Sequence, residues 1–328
     1  GGPRLADMPN VYASPKGYPE AGVAPAARTA RPEIWFVTDR ARLAGAPAAQ
    51  PYGAGRSAEM TFGKATVQFG EGLDWPALVA RSGGEGGPGA VRLRPVETTE
   101  TVRFPATPLP FDVVDGRAHT LPEAQAAWDA EAATFREEIA AALARTERRE
   151  VTIYVHGVAT TFEEAQGPLA NLWHWAGRPG VPLLYSWPSG NTGFFGYFRD
   201  REAGEFTIFH LKQTLRMLAA TPGLERINVI AHSRGTDVAT SALRELGRVL
   251  NSSAAYAAVM DIDWTRFRPV VEARRPLGLI AGLGPDDRAD DENGPAAGAD
   301  DLGALPRDER GAALAAPDPV LLAHGLGL

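Results

Sequence analysis

Apolar residues first gather in EIWFVTD (33–39), a run with the character of a strand. MTFGKATVQFG (60–70) alternates apolar and polar positions in part, and AVRLRPV (90–96) predicts a further strand. The period then changes. Trp128, Phe135, Ile139 and Leu143 fall at intervals of seven, four and four, which is one stripe of a helix ending near Thr146. Its start shows capping-box spacing, Thr120 with Glu123, and places Pro122 in the first turn. Beyond it, apolar runs alternate with helical stretches. VTIYV (151–155), VPLLYSW (181–187) and RINVIA (226–231) predict strands, with helices over 161–176, 201–220 and 235–250. AAYAAVM (254–260) and PLGLIAGL (276–283) complete the series. Continuous apolar runs separated by helices belong to strands buried on both faces. The prediction is a doubly wound, mostly parallel α/β sheet with helices on both faces.

Composition divides the chain into three. Residues 1–32, rich in Pro, Ala and Gly, read as an extended, weakly structured arm. Residues 33–283 form the α/β domain. Residues 284–328 hold eight Asp and two Glu against three Arg, which accounts for the whole net charge of −7. That last segment is nearly all Ala, Asp, Gly, Leu and Pro, so it can bury little and reads as poorly ordered or atypical. The charge balance gives no sign of nucleic-acid binding. No uncharged apolar run is long enough to span a membrane. There is no cysteine, so disulfides and thiolate metal sites are excluded. The glycine-rich RSGGEGGPG (81–89) lacks the lysine and spacing of a phosphate cradle. No cofactor or metal is expected.

The chemistry points to VIAHSRGT (229–236). Ser233 follows an apolar strand and precedes a helix whose Val238, Ala242 and Leu246 share a face. This is the context of a nucleophile elbow, a turn so tight that the residues two before and two after the serine must be small. Gly235 satisfies this, and Ala231 stands where glycine is usual. The turn sets the Arg234 N–H beside the hydroxyl at a helix N-terminus, where a developing oxyanion is stabilised. The other donor should come from the loop after an earlier strand. VTIYV runs into His156 and Gly157, which makes Val158 N–H that donor and His156 a structural residue of the turn. His232 and Arg234 side chains point away from the elbow's apex, and Asp237 pairs locally.

EIWFVTDR, YVHGVATTFEEA, LLYSWPSG, FRDREA and INVIAHSRG together resemble the alpha/beta-hydrolase family catalogued as a domain of unknown function (DUF900), over roughly residues 33–288. The resemblance implies a serine hydrolase of esterase type. It carries the triad acid onto Asp287, in PLGLIAGLGPDDRA, with Asp286 adjacent. Asp261 and Asp263, in VMDIDW, are the alternative acids. Of the six histidines (His119, His156, His174, His210, His232 and His324), only His324 follows both serine and acid. The order Ser, Asp, His makes it the conventional base, although residues 290–328 do not resemble the family's C-terminal region. The opening GGPRLADMPNVY is similar to bacterial lipoproteins of this family trimmed after a lipidated cysteine, which implies export and a lipid anchor in the precursor. A cysteine-free chain fits the cytosol as well.

Aromatic residues concentrate between 173 and 209. Phe194, Phe195 and Tyr197, with Trp187, are the candidate walls of a pocket for an apolar acyl group. The expected activity is cleavage of a small-molecule carboxylic ester through an acyl-enzyme. The competing expectation is a hydrolase fold without efficient catalysis, serving as an envelope-associated binding or structural module.

Overall fold

A computed structural model describes residues 3–7, 17–83, 91–191 and 196–251, with side chains described to residue 247. The elements are β1 (Glu33–Arg42), β2 (Tyr52–Phe69), α1 (Trp75–Ser82), β3 (Leu93–Arg103), β4 (Phe111–Val114), β5 (Arg117–Thr120), α2 (Pro122–Leu143), β6 (Glu150–Val155), α3 (Phe162–Trp175), β7 (Val181–Ser186), α4 (Gly196–Ala219), β8 (Arg226–Ala231) and α5 (Arg234–Asn251). Six strands make one sheet in the order β3-β2-β1-β7-β6-β8. β1, β7, β6 and β8 run parallel, and β2 is antiparallel to both of its neighbours.

Each parallel strand feeds two cores with period two. Trp35 and Val37 pack on one face and Ile34 and Phe36 on the other; Leu183 and Tyr185 divide from Leu184 in the same way. The first face is covered by α2, α4 and α5 through Trp128, Phe135, Ile139, Leu211, Leu215, Val238 and Leu246. The second is covered by α1 and α3 through Leu78, Phe162 and Leu169. The apolar runs are continuous because both faces are buried. The chain leaves β6 through α3 to β7 on one side, then crosses by α4 to β8 on the other. Strand order therefore reverses about β6, and in open α/β sheets the carboxyl ends of the strands at such a reversal are where ligands bind. No described helix is long and apolar enough to cross a membrane. The strands expected at 254–260 and 276–283, and the segment 284–328, lie outside the described residues.

The fold differs from the sequence expectation in three places. Thr120 does not cap α2. It sits in β5 opposite Phe111, in a hairpin turned at Asp115 and Gly116 with φ of 51° and 73°. Leu121 is the N-cap, without a side-chain hydrogen bond, and Pro122 opens the helix. The capping box is made instead at α3, where Thr161 and Glu164 satisfy each other's main-chain N–H. The β2 strand begins at Tyr52, eight residues before the alternating stretch, because pairing with β1 holds residues that carry no apolar pattern of their own.

The third difference is the N-terminal arm, whose described residues are packed into the body. Leu5, Tyr18, Val23 and Ala30 are buried in the second core. Leu5 N–H donates to Val91 O and Leu93 N–H to Pro3 O. Arg178 anchors the arm's end. Its guanidinium is buried, donates to Ala27 O and Thr29 O at 2.7 and 2.6 Å, and lies 4.7 to 5.3 Å from the rings of Trp75, Phe69 and Trp173. Burial lowers its pKa to about 10, so it stays charged at neutral pH. Its Nε donates to His174 Nδ1 at 3.1 Å, which places the imidazole proton on Nε2, 2.8 Å from Ser82 Oγ. Tyr18 stacks on the same imidazole at 4.5 Å. Pairing across 150 residues is invisible to local pattern, and a Pro/Ala-rich composition conceals it.

Candidate active site

β8 ends at Ala231 and α5 begins at Arg234, so the chain reverses within His232 and Ser233. His232 N–H extends the ladder to Val155 O at 2.9 Å. Gly235 N–H and Thr236 N–H then close the turn onto His232 O and Ser233 O, each at 2.9 Å. Ser233 is left exposed at the apex with φ of 52°. A side chain in this left-handed region costs on the order of 1–3 kcal/mol, which the surrounding packing must offset. The small residues that the sequence singled out explain how. A Cβ on Gly235 would lie 2.4 Å from His156 O and 2.5 Å from Val155 O, so only glycine lets α5 approach β6. The Ala231 methyl is accommodated in the core beside Val155, its partner in the sheet.

The second loop runs beside the first. A Cβ on Gly157 would lie 3.0 Å from that of Ser233 and 3.3 Å from His232 O. The turn after β6 therefore passes against the elbow. Among the described residues, neither Val158 N–H nor Arg234 N–H donates to any group. Arg234 N–H, at the N-terminus of an 18-residue helix, directly follows the exposed Ser233, and Val158 N–H follows the Gly157 that lies against it. That arrangement can stabilise a tetrahedral oxyanion. The Arg234 side chain points away and pairs with Asp237 at 2.8 Å and Glu205 at 3.2 Å.

Behind the loop lies a polar support built on His156, read from the sequence as a structural residue of the turn, and on Arg40, which the sequence reading missed. His156 is fully buried, with Nδ1 2.9 Å from Gly157 O and Nε2 3.3 Å from both Arg40 Nη2 and Ser186 Oγ. Burial, with Arg40 next to it, holds its pKa well below the usual imidazole value. The ring is neutral, with its proton on Nδ1 and both nitrogens engaged, which fits a structural part rather than a base. Trp187 stacks on it at 5.2 Å and donates to His156 O at 2.7 Å. Trp187 has no exposed surface. It supports the turn from the core, a correction to its expected place in the pocket wall. Arg40, at the end of β1, donates to Thr160 O (2.7 Å), Ser189 O (2.6 Å), Gly53 O (3.1 Å) and Ser186 Oγ (2.9 Å). Burial lowers its pKa to about 10, so it remains a cation. The signal for it was present: a charge directly following the apolar run of EIWFVTDR.

The neutral histidines set a pH dependence. Burial, with Arg178 next to it, pushes the pKa of His174 down to about 2, and that of His156 is lowered as well. The unfolded chain binds protons at both near pH 6.5, while the folded chain does not. Stability therefore falls as pH drops below about 6.5, by about 1.4 kcal/mol per unit for each histidine. Urea midpoints at pH 7.5 and 5.5 should differ clearly, with little change in slope. Equal midpoints would contradict buried, neutral imidazoles.

Tyr197 is exposed in the first turn of α4, beside Phe198 at 6.0 Å. Phe194, Phe195, Asp261, Asp263, Asp286, Asp287 and His324 lie outside the described residues. Among the other histidines, His119 is exposed on β5 and His232 flanks the elbow. His210 is buried, with Nδ1 2.8 Å from Asp39 and Nε2 3.0 Å from Thr107.

Residues 131–263, from α2 through the elbow, match a family model described as alpha/beta hydrolase of unknown function (DUF900). Comparison with curated proteins and with solved structures gave no match.

Proposed function

Proceeding from an alpha/beta-hydrolase whose strand–turn–helix carries an exposed serine, we propose that the protein cleaves carboxylic esters through an acyl-enzyme. The observation that carries this reading is Ser233 at φ of 52°, exposed at the turn against which the loop of Gly157 passes. Backbone strain of this kind gathers where function needs a side chain aimed out of the sheet.

In the proposed reaction Ser233 Oγ attacks the ester carbonyl and its proton passes to the imidazole of His324. Asp287 orients that ring and stabilises its charged form, with Asp286, Asp263 and Asp261 as alternative acids. Arg234 and Val158 N–H groups hold the oxyanion. The imidazolium then protonates the departing alkoxide, leaving the acyl group on Ser233. Water, deprotonated by the same imidazole, attacks the acyl carbonyl and releases the acid. The exposed rings of Tyr197 and Phe198 favour an apolar acyl group.

The test combines a fluorophosphonate probe with p-nitrophenyl esters of increasing chain length. Labelling at Ser233 with turnover is the expected result. His324→Ala should lower turnover by about a thousandfold or more. Full activity in that variant would remove His324 from the triad while leaving the serine in place. Absence of both labelling and turnover would leave the fold as a binding module without catalysis.

A further inference from the structure

Asp200 is the first of two acids in FRDREA, a stretch to which the proposed reaction gives no role. It is the fifth residue of α4 and is 1% exposed. Among the described residues no cation forms an ion pair with it. Its carboxylate instead accepts four N–H groups. Oδ2 accepts from Ala159 N–H at 2.8 Å and Gly190 N–H at 3.2 Å; Oδ1 accepts from Asn191 N–H at 3.2 Å and Asn191 Nδ2 at 2.7 Å. These donors belong to two segments, the loop after β6 and the turn after β7, and Asp200 joins both to α4.

The loop needs such a tie. Ala159 has φ of 53°, a conformation that an alanine does not keep unaided. Thr160 N–H is held separately by Ser189 Oγ at 3.1 Å, and Thr160 O by Arg40. The residue between these ties and Gly157, which lies against Ser233, is Val158. The peptide following Val158 ends in the N–H that Asp200 accepts, so the carboxylate fixes how that stretch of chain turns. A buried carboxylate bound to main-chain N–H groups is strong and directional, and an oxyanion donor works only when held in place before charge develops.

We propose that Asp200 is a positioning residue for the oxyanion loop, holding Val158 N–H toward Ser233 through the strained Ala159 peptide. The proposal rests on the ester-hydrolase reading. Asp200→Asn keeps the size but sets an NH2 group against N–H donors on one side of the carboxylate. The expected result is a fall in kcat of about thirtyfold, less than the roughly hundredfold or more for an oxyanion donor removed outright because Val158 N–H is loosened and not lost, with KM changed by less than about twofold. Amide exchange at Ala159, Gly190 and Asn191 should accelerate about tenfold or more while the core strands stay protected. Asn191→Ala removes one of the four donors and leaves the rest. It should lose about threefold in kcat, and it serves if Asp200→Asn fails to fold.

Unchanged kcat in Asp200→Asn overturns the proposal. So does a loss that appears in KM, or faster exchange spread over the whole molecule, since either marks a general structural role. If the unmodified protein shows no Ser233-dependent turnover, the ester-hydrolase reading fails and takes the catalytic role of Asp200 with it. If the protein is active and Asp200→Asn is equally active, only the role of Asp200 fails. Exchange needs no substrate, so it judges the loop contacts in either case.

Discussion

Ser233→Ala is expected to abolish fluorophosphonate labelling and to lower ester turnover by at least about a thousandfold, because no other group replaces the attacking oxygen. Alanine keeps a Cβ at φ of 52°, so unfolding stability should change by less than about 0.5 kcal/mol. Ser233→Gly should be equally inactive yet more stable, by about 1 kcal/mol, because glycine adopts a positive φ without steric penalty. The pair separates chemistry from strain. Calorimetry showing the same Tm for both variants would mean that the elbow stores no strain. Residual turnover in either would mean that the nucleophile lies elsewhere.

Gly235→Ala is expected to damage both the site and the fold. The added methyl would meet two main-chain oxygens, His156 O at 2.4 Å and Val155 O at 2.5 Å, and neither can swing aside as a side chain does. Relief requires moving α5 off β6, which also moves the Arg234 N–H. Overpacking of this kind costs about 3 kcal/mol, a large share of a typical total of about 5–15 kcal/mol. Turnover should fall more than about a hundredfold. Gly247→Ala, in the same helix with nothing within 4 Å of the added atom, should instead stabilise by about 0.5–1 kcal/mol through helix propensity. Urea denaturation of the two variants decides the matter. Similar losses in both would show that the clash at Gly235 is not what sets its requirement for glycine.

The parallel strands, the helices between them and the elbow were legible because each expresses a local rule. RINVIA matches β8 residue for residue, and Gly235 stands where the turn has no room for a Cβ. The antiparallel strands extend further than their patterns, as in β2, because a partner strand rather than periodicity sustains them. The hairpin of β4 and β5 was not read at all. All eight of its residues are exposed, so no face alternates against a core. Arg40 and Asp200 escaped for a different reason. A buried charge has meaning only through groups brought to it by the fold, here across as many as 149 residues for Arg40 and Ser189 and 41 for Asp200 and Ala159. Charge beside a strand end or near a helix's start is common, and sequence alone does not distinguish a solvated one from one enclosed.

Arg40 also governs when the site can exist. The elbow and the loop after β6 come from residues 155–160 and 231–235, and the family match starts only at residue 131. Yet the cation beneath that loop is contributed from residue 40, together with β1, against which β7 pairs. Chain closure over such separations is slow relative to forming helices or adjacent β-α units. A refolding molecule should therefore regain helical signal before it regains a serviceable oxyanion loop. Synthesis from the ribosome runs the other way: the N-terminal third emerges first and waits for its partner. The order of translation thus delivers Arg40 before the loop it must hold, and the same chain diluted from denaturant lacks that advantage.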